Sequence, residues 1–316
     1  MKKNGRRKFI KGAIALPLGL SLSNVPTCGV SLGTGSLYSA NSKAKIKLSL
    51  NAWSYYIPLY KYQRGEAGGM SLFDLLEECA RLDFDAVDPT GYFFPGYPEV
   101  PETKFINEFK RRAFQLGLDI SGTGIRNDFA NTDSVKRKED VELAKRWIEV
   151  AAEMGAPVLR IFAGAQPKGH SWEETAVWMS EALGECAEHG KKHGVIVGVQ
   201  NHGDMLQSAD EVLKIIKMVN SDWLGAIVDT GYFLTPDPYS DIERVIPYAV
   251  NWQVKELLSD RKGGEIDMVR LVQIIRASGY RGYVPIETLP LPGKEEEYDA
   301  YKRVPLLLEK LRKALI

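Results

Sequence analysis

From residue 45 to the C-terminus the chain repeats one pattern: a short β-rich run, then a stretch with apolar residues at helical spacing. The runs cover residues 46–53, 84–88, 118–125, 158–163, 195–200, 224–229, 250–255 and 283–287. Their ends, at Trp53, Asp88, Ile125, Ala163, Gln200, Asp229, Gln253 and Glu287, lie 24 to 38 residues apart. Such a step holds one strand and one helix. Between the runs, Val141, Ala144, Ile148 and Ala151 fall on one helical face, as do Met268, Leu271, Val272 and Ile275. Met154-Gly155-Ala156-Pro157 and His193-Gly194 supply helix stops before the fourth and fifth runs. Eight strand–helix units with right-handed crossovers close into a (β/α)8 TIM barrel, a fold that uses about 250 residues as one domain. With 44% apolar residues the chain can bury the core this requires. No linker or low-complexity tract divides residues 45–316, which therefore read as one α/β barrel domain.

Residues 1–44 differ from this pattern. They carry seven basic side chains and no acidic one, leaving 34 basic against 41 acidic groups in the body, a net charge of −7. An acidic body repels phosphate backbones, which argues against a nucleic-acid partner. Gly5-Arg6-Arg7-Lys8-Phe9-Ile10-Lys11 precedes a mildly apolar run at 12–22 that is broken by Pro17. This resembles the twin-arginine signal of proteins exported already folded, and it implies a periplasmic or otherwise exported protein. The run is shorter than the ~20 residues a membrane span needs. Ser42-Lys43-Ala44 and Ala40 are candidate cleavage sites, whereas Val25-Pro26-Thr27 suits lipidation of Cys28 poorly. Cys79 and Cys186 sit on apolar helix faces and read as buried thiols, not a disulfide.

In a barrel of this kind chemistry gathers where the strands end. The last four runs end on Gln200-Asn201-His202, Asp229-Thr230-Gly231, Gln253-Val254-Lys255 and Glu287-Thr288. Period-two alternation puts Gln200 with His202, and Asn251 with Gln253 and Lys255. Two carboxylates and two amide oxygens, from Asp229, Glu287, Gln200 and Gln253, suit a hard divalent cation such as Mn²⁺ or Mg²⁺. The alternatives are helix capping or lysine pairing by Asp229 and Glu287, mutual hydrogen bonding of Gln200 and Gln253, and an ion pair of Lys255 with Glu287. His202 is the one histidine of four at a strand end, a candidate acid/base or a structural hydrogen-bonding group. Arg160 reads as a brace on a buried carboxylate. Aromatic residues crowd the same loops: Trp53 after the first strand, Tyr92 and Phe94 after the second, Phe129 after the third and Tyr232 after the sixth. Flat rings beside hydroxyl-binding groups suit a carbohydrate. Gly-rich phosphate loops and a serine nucleophile elbow are absent from the sequence, and Arg261-Lys262 is the one basic cluster offered to a phosphate.

Gly264-Glu265-Ile266-Asp267, Gly279-Tyr280-Arg281-Gly282-Tyr283 and Ile286-Glu287, with Asp229-Thr230-Gly231, resemble the xylose isomerase-like barrels of the sugar phosphate isomerase/epimerase group. The resemblance implies metal-binding roles for Asp229 and Glu287 and proton-transfer chemistry on a sugar. Two positions depart from it. Gln200 stands where the family has a glutamate, and Gln253 where it has a metal-binding histidine. An amide cannot accept a proton as a carboxylate does, so Gln200 cannot complete a two-glutamate epimerase pair. The resulting expectation is an exported isomerase or epimerase acting beside the carbonyl of a sugar, with Glu287, His202 and Lys255 as its catalytic groups. β-Elimination from a 3-keto-glycoside and non-catalytic sugar binding are the alternatives. Arg6→Lys/Arg7→Lys should strand the precursor in the cytoplasm, and cell fractionation checks this: normal export of the double mutant would refute the signal.

Overall fold

The computed structural model describes residues 43–258, 264–291 and 293–316. The expected signal, apart from residues 43–44, and Arg261-Lys262 lie outside them.

The parallel strands alternate with helices as the repeat requires. In order they are β1 (Lys45–Asn51), α1 (Tyr56–Gln63), α2 (Leu72–Arg81), β2 (Ala86–Asp88), α3 (Thr103–Gln115), β3 (Asp119–Ile120), β4 (Thr123–Gly124), α4 (Ser134–Met154) and β5 (Val158–Phe162). There follow α5 (Trp172–His193), β6 (Ile196–Gln200), α6 (Ala209–Val219), β7 (Leu224–Asp229), α7 (Pro238–Val245), β8 (Ala249–Gln253), α8 (Met268–Ala277), β9 (Arg281–Ile286) and α9 (Ala300–Leu315). The expected third strand is two pieces, β3 and β4, so the fifth to eighth expected strands are β6 to β9.

Two sheets make up the barrel, ordered β3-β2-β1-β9 and β4-β5-β6-β7-β8. They meet at both margins: Thr90 bridges Gly124, and Val254 bridges Ile286. At the second margin the Val254 amide donates to Pro285 O (2.8 Å) and the Glu287 amide to Val254 O (2.9 Å). The third strand changes partner at Ser121-Gly122, leaving β2 for β5. A Cβ on Gly122 would come within 3.0 Å of Asn251 Nδ2 and Asp88 Oδ2, so the break is a place where side chains from distant strands close in.

Local signals start and stop the helices. Ser71, Ser171 and Ser208 each accept from the N3 amide while Asp74, Glu174 and Glu211 return the bond, closing three capping boxes. Gly155 and Gly194 end α4 and α5 in left-handed conformations, at φ 80° and 72°. The faces marked by periodicity are buried, including Cys79 and Cys186, which are both free thiols. Among the described residues no helix is long and apolar enough to cross a membrane.

Inside the barrel a polar layer crosses the lumen. Asn251 on β8 donates to Asp88 Oδ2 at the end of β2 (3.1 Å) and to Ser121 O (3.3 Å), and Ser49 Oγ meets Ser121 Oγ at 2.7 Å. Burial pushes the Asp88 carboxyl up to about 7, against the pull of Arg160 and the Asn251 hydrogen bond; Glu287 adds to the rise. Between about pH 4 and 7 the folded chain therefore holds a proton that the unfolded chain has lost, so stability falls as pH rises through this window. Asp88→Asn should remove this contribution. In urea titrations from pH 4.5 to 7.5 the mutant should gain on wild type by up to about 1.4 kcal/mol per pH unit. Parallel stability–pH curves would show that Asp88 is ionised throughout.

Candidate active site

The strand ends surround a cavity of about 410 Å³. Two groups of rings line it. Trp53, Tyr56 and Tyr92 follow β1 and β2; Phe162, His202 and Tyr232 belong to the ends of β5, β6 and β7. Trp53 stacks on Tyr56 (ring centroids 5.2 Å apart) and meets Tyr92 edge-on (5.8 Å). The His202 ring lies 4.6 Å from Phe162 and 4.4 Å from Tyr232, sandwiched in the second wall. Gln200, Gln253, Lys255 and Glu287 complete the lining on the β6–β9 arc.

Asp229 is wholly buried behind this arc. Asn201 fixes its backbone by a reciprocal pair: Nδ2 donates to Asp229 O (2.9 Å) and Oδ1 accepts from Asp229 N (2.8 Å). The carboxylate accepts from Gly231 N on Oδ1 (2.9 Å) and from Gln200 Nε2 on Oδ2 (2.6 Å). The Lys255 ammonium lies 3.4 Å from Asp229 Oδ2 and donates to Glu287 Oε1. It therefore stands between the two carboxylates, itself 2% exposed. Burial pushes the Asp229 carboxyl up to about 6, and Glu287 adds to this while Lys255 opposes it. For Lys255, burial alone would lower the pKa, but Asp229 and Glu287 outweigh it and hold the ammonium above its ordinary value. The backbone is shaped around this side chain: a Cβ on Gly231 would come 2.8 Å from Lys255 Cγ. The Lys255 amide is held in turn by Thr230 Oγ1 (2.9 Å).

The expected metal donors thus converge, but the cation among them is the Lys255 ammonium. Gln200 presents its amide nitrogen, not its oxygen, to Asp229. Gln253 Oε1 is buried with no hydrogen-bond partner in the protein, so the amide–amide pairing of Gln200 with Gln253 is not seen. A divalent ion shared by Asp229 Oδ2 and Glu287 Oε1 would sit about 2.1 Å from each oxygen, in the volume the ammonium fills. As arranged, the donor set does not fit such an ion. Elsewhere, Glu149 of α4 and His189 and His193 of α5 bring three ligand atoms within 4.8 Å of one another, a group able to hold a metal at the surface.

Three sequence expectations need correction. Phe94 and Phe129 do not line the cavity. Both are fully buried, and Phe94 packs against Phe105, Phe109 and Trp147. Arg160 does line it: Nη1 donates to Ile125 O (2.8 Å), Nη2 to the Tyr92 hydroxyl (2.6 Å), and the guanidinium lies 3.9 Å from the Phe162 ring centre. No carboxylate lies within ion-pair distance of it among the described residues, although its charge acts on buried Asp88 as expected of a brace, and Gly124 makes room for it, since a Cβ there would meet Nε at 2.6 Å. Arg126, 4.9 Å from the Tyr92 ring centre, joins Asn51 and Thr90 as lining residues the sequence reading missed. Alternation was a usable signal for Arg160, which shares a strand face with Phe162.

No curated protein matches the sequence. Among solved structures, the chain is similar to 3-keto-D-glucoside 4-epimerase YcjR from E. coli, at 14% identity and TM-score 0.66, covering 85% of this chain and 100% of that one. It is likewise similar to D-psicose 3-epimerase with D-tagatose from Clostridium cellulolyticum H10 (16% identity, TM-score 0.65, 85% and 96% covered). A third similar structure is the IolI protein with a binding zinc atom (16%, TM-score 0.67, 85% and 96% covered). These likenesses establish a shared barrel. The family model for the xylose isomerase-like TIM barrel matches residues 76–304, and the chain belongs to that family.

Proposed function

We propose that this chain moves a proton on a carbon beside the carbonyl of a sugar or keto-sugar, with Glu287 as the base. One observation carries the reading: Glu287 is the only carboxylate among the described residues that line the cavity, and it lies against a buried ammonium. A base that removes a carbon-bound proton leaves an enediolate, whose oxygen needs a cation or donor already in place. Lys255 supplies that cation without reorganisation. His202, held between Phe162 and Tyr232, faces the same space and can return a proton. The aromatic walls suit the C–H faces of a pyranose. Sugar epimerases among the similar structures support a carbohydrate substrate.

Epimerisation requires a second acid/base on the opposite face of the reacting carbon. Gln200 cannot provide it, because an amide neither takes nor gives a proton at any useful pH, which leaves His202 as the one candidate. This favours a second reading, β-elimination from a 3-keto-glycoside, in which one base removes the proton and the glycosidic oxygen departs. Residues 1–44, read as an export signal, would place either reaction outside the cytoplasm.

Incubating candidate keto-sugars and 3-keto-glycosides with the protein in deuterium oxide tests the proposal. Deuterium should enter the carbon beside the carbonyl, and Glu287→Gln should slow this about 10²–10⁴-fold. Inversion at that carbon identifies an epimerase and release of the aglycone a lyase. Sugar binding without exchange would leave a pocket that binds and does not catalyse, and the proposal would fall. His202→Gln separates the two reactions: it should suppress inversion more strongly than elimination, by comparison of product ratios.

A further inference from the structure

We propose that the Lys255 ammonium is the resident cation of this site, so that the cavity works without a divalent metal. The inference deepens the function proposed above, but its binding half stands without it.

Three features of the molecule converge on it. The first is charge. Asp229 and Glu287 contribute two negative charges, and Gln200 and Gln253 contribute none. A single ammonium brings the group to −1, whereas a divalent ion added beside the lysine would bring two like-charged cations together in a buried space. The second is direction. Gln200 turns a donor toward Asp229, and this N–H aims at the same Oδ2 that the ammonium approaches. Asp229 Oδ1 is taken by the Gly231 amide. The carboxylate is therefore already engaged by an ammonium and two N–H groups, as a buried anion must be. The third is space. Gly231 leaves room beside its backbone for the lysine stem, and Thr230 pins the Lys255 amide, so the side chain is led to this point by the loop that carries Asp229. A lysine only passing by would need neither.

The consequence for chemistry is a fixed monocation in place of an exchangeable dication. It can donate hydrogen bonds to a developing oxyanion, which a metal ion cannot, and it polarises a carbonyl less strongly.

Mn²⁺ binding to the purified chain tests this. The probe is the free-Mn²⁺ electron paramagnetic resonance signal, with metal content after dialysis measured in parallel. All variants carry His189→Ala, so that the surface group of Glu149, His189 and His193 does not contribute. The parent and Lys255→Arg should each bind less than about 0.1 Mn²⁺ per chain. Lys255→Met/Gln200→Glu, which removes the ammonium and adds a carboxylate, should bind about one, with affinity at least tenfold above the parent. If the double variant does not fold, the parent and Lys255→Arg still decide the matter. One Mn²⁺ per chain in the parent, lost in Asp229→Asn, would overturn the proposal. Where a substrate supports deuterium exchange, its rate should survive chelation; loss on chelation and return with Mn²⁺ would overturn it equally. Failure to find any exchanging substrate bears on the proposed function alone, since the Mn²⁺ result needs no turnover.

Discussion

An ammonium and two carboxylates held away from water tolerate little freedom in their surroundings. Each charge must be met by another charge or a hydrogen bond, because an unpaired one would cost several kcal/mol. Much of the local sequence at the ends of β6, β7 and β8 answers that demand. Asn201 fixes the Asp229 backbone, Gln200 and Gly231 engage its oxygens, Thr230 holds the Lys255 amide, and Gly231 yields the space the lysine stem needs. The barrel beneath contributes rigidity. Its parallel strands set these residues side by side, and the Asn251–Asp88 and Ser49–Ser121 contacts cross the lumen below them.

The fold was legible because it is periodic. A strand followed by an amphipathic helix, repeated at steps near one βα unit, admits few closed arrangements, and Gly155 and Gly194 marked two of the helix ends in the sequence itself. The split of the third strand was not legible. It falls where Asn251 and Asp88 approach Gly122, residues far apart in sequence. Strand-end residues could be placed for the same periodic reason, so Gln200, Gln253, Lys255 and Glu287 lie together as expected. Loop residues could not. Tyr92 and Phe94 are two positions apart in one aromatic run, yet Tyr92 lines the cavity and Phe94 packs under α3 and α4. Hydrophobicity fixes that such rings are covered, not whether protein or ligand covers them.

The replacement of a carboxylate by Gln200 illustrates how one residue changes the reading of a whole site. Seen in sequence it is a subtraction, the loss of a base. In three dimensions it is part of an exchange in which an amide donor and an ammonium together satisfy Asp229. Sequence alone places Lys255 on the correct face but says nothing of how far the side chain reaches or what it displaces. Arg160 makes the same point: its position on β5 was plain, while its partners, a carbonyl and a tyrosine hydroxyl, depend on loop conformation.

The sheets meet at Thr90–Gly124 and Val254–Ile286, and Thr90 at the first margin and Gln253, Lys255 and Glu287 beside the second line the cavity. Trp53, Tyr92 and Glu287 follow strands of one sheet, and Phe162, Gln200, His202, Tyr232 and Lys255 follow strands of the other. Arg160 to Tyr92 and Lys255 to Glu287 are thus stitches across the two seams. A ligand spanning the cavity would touch residues of both sheets at once.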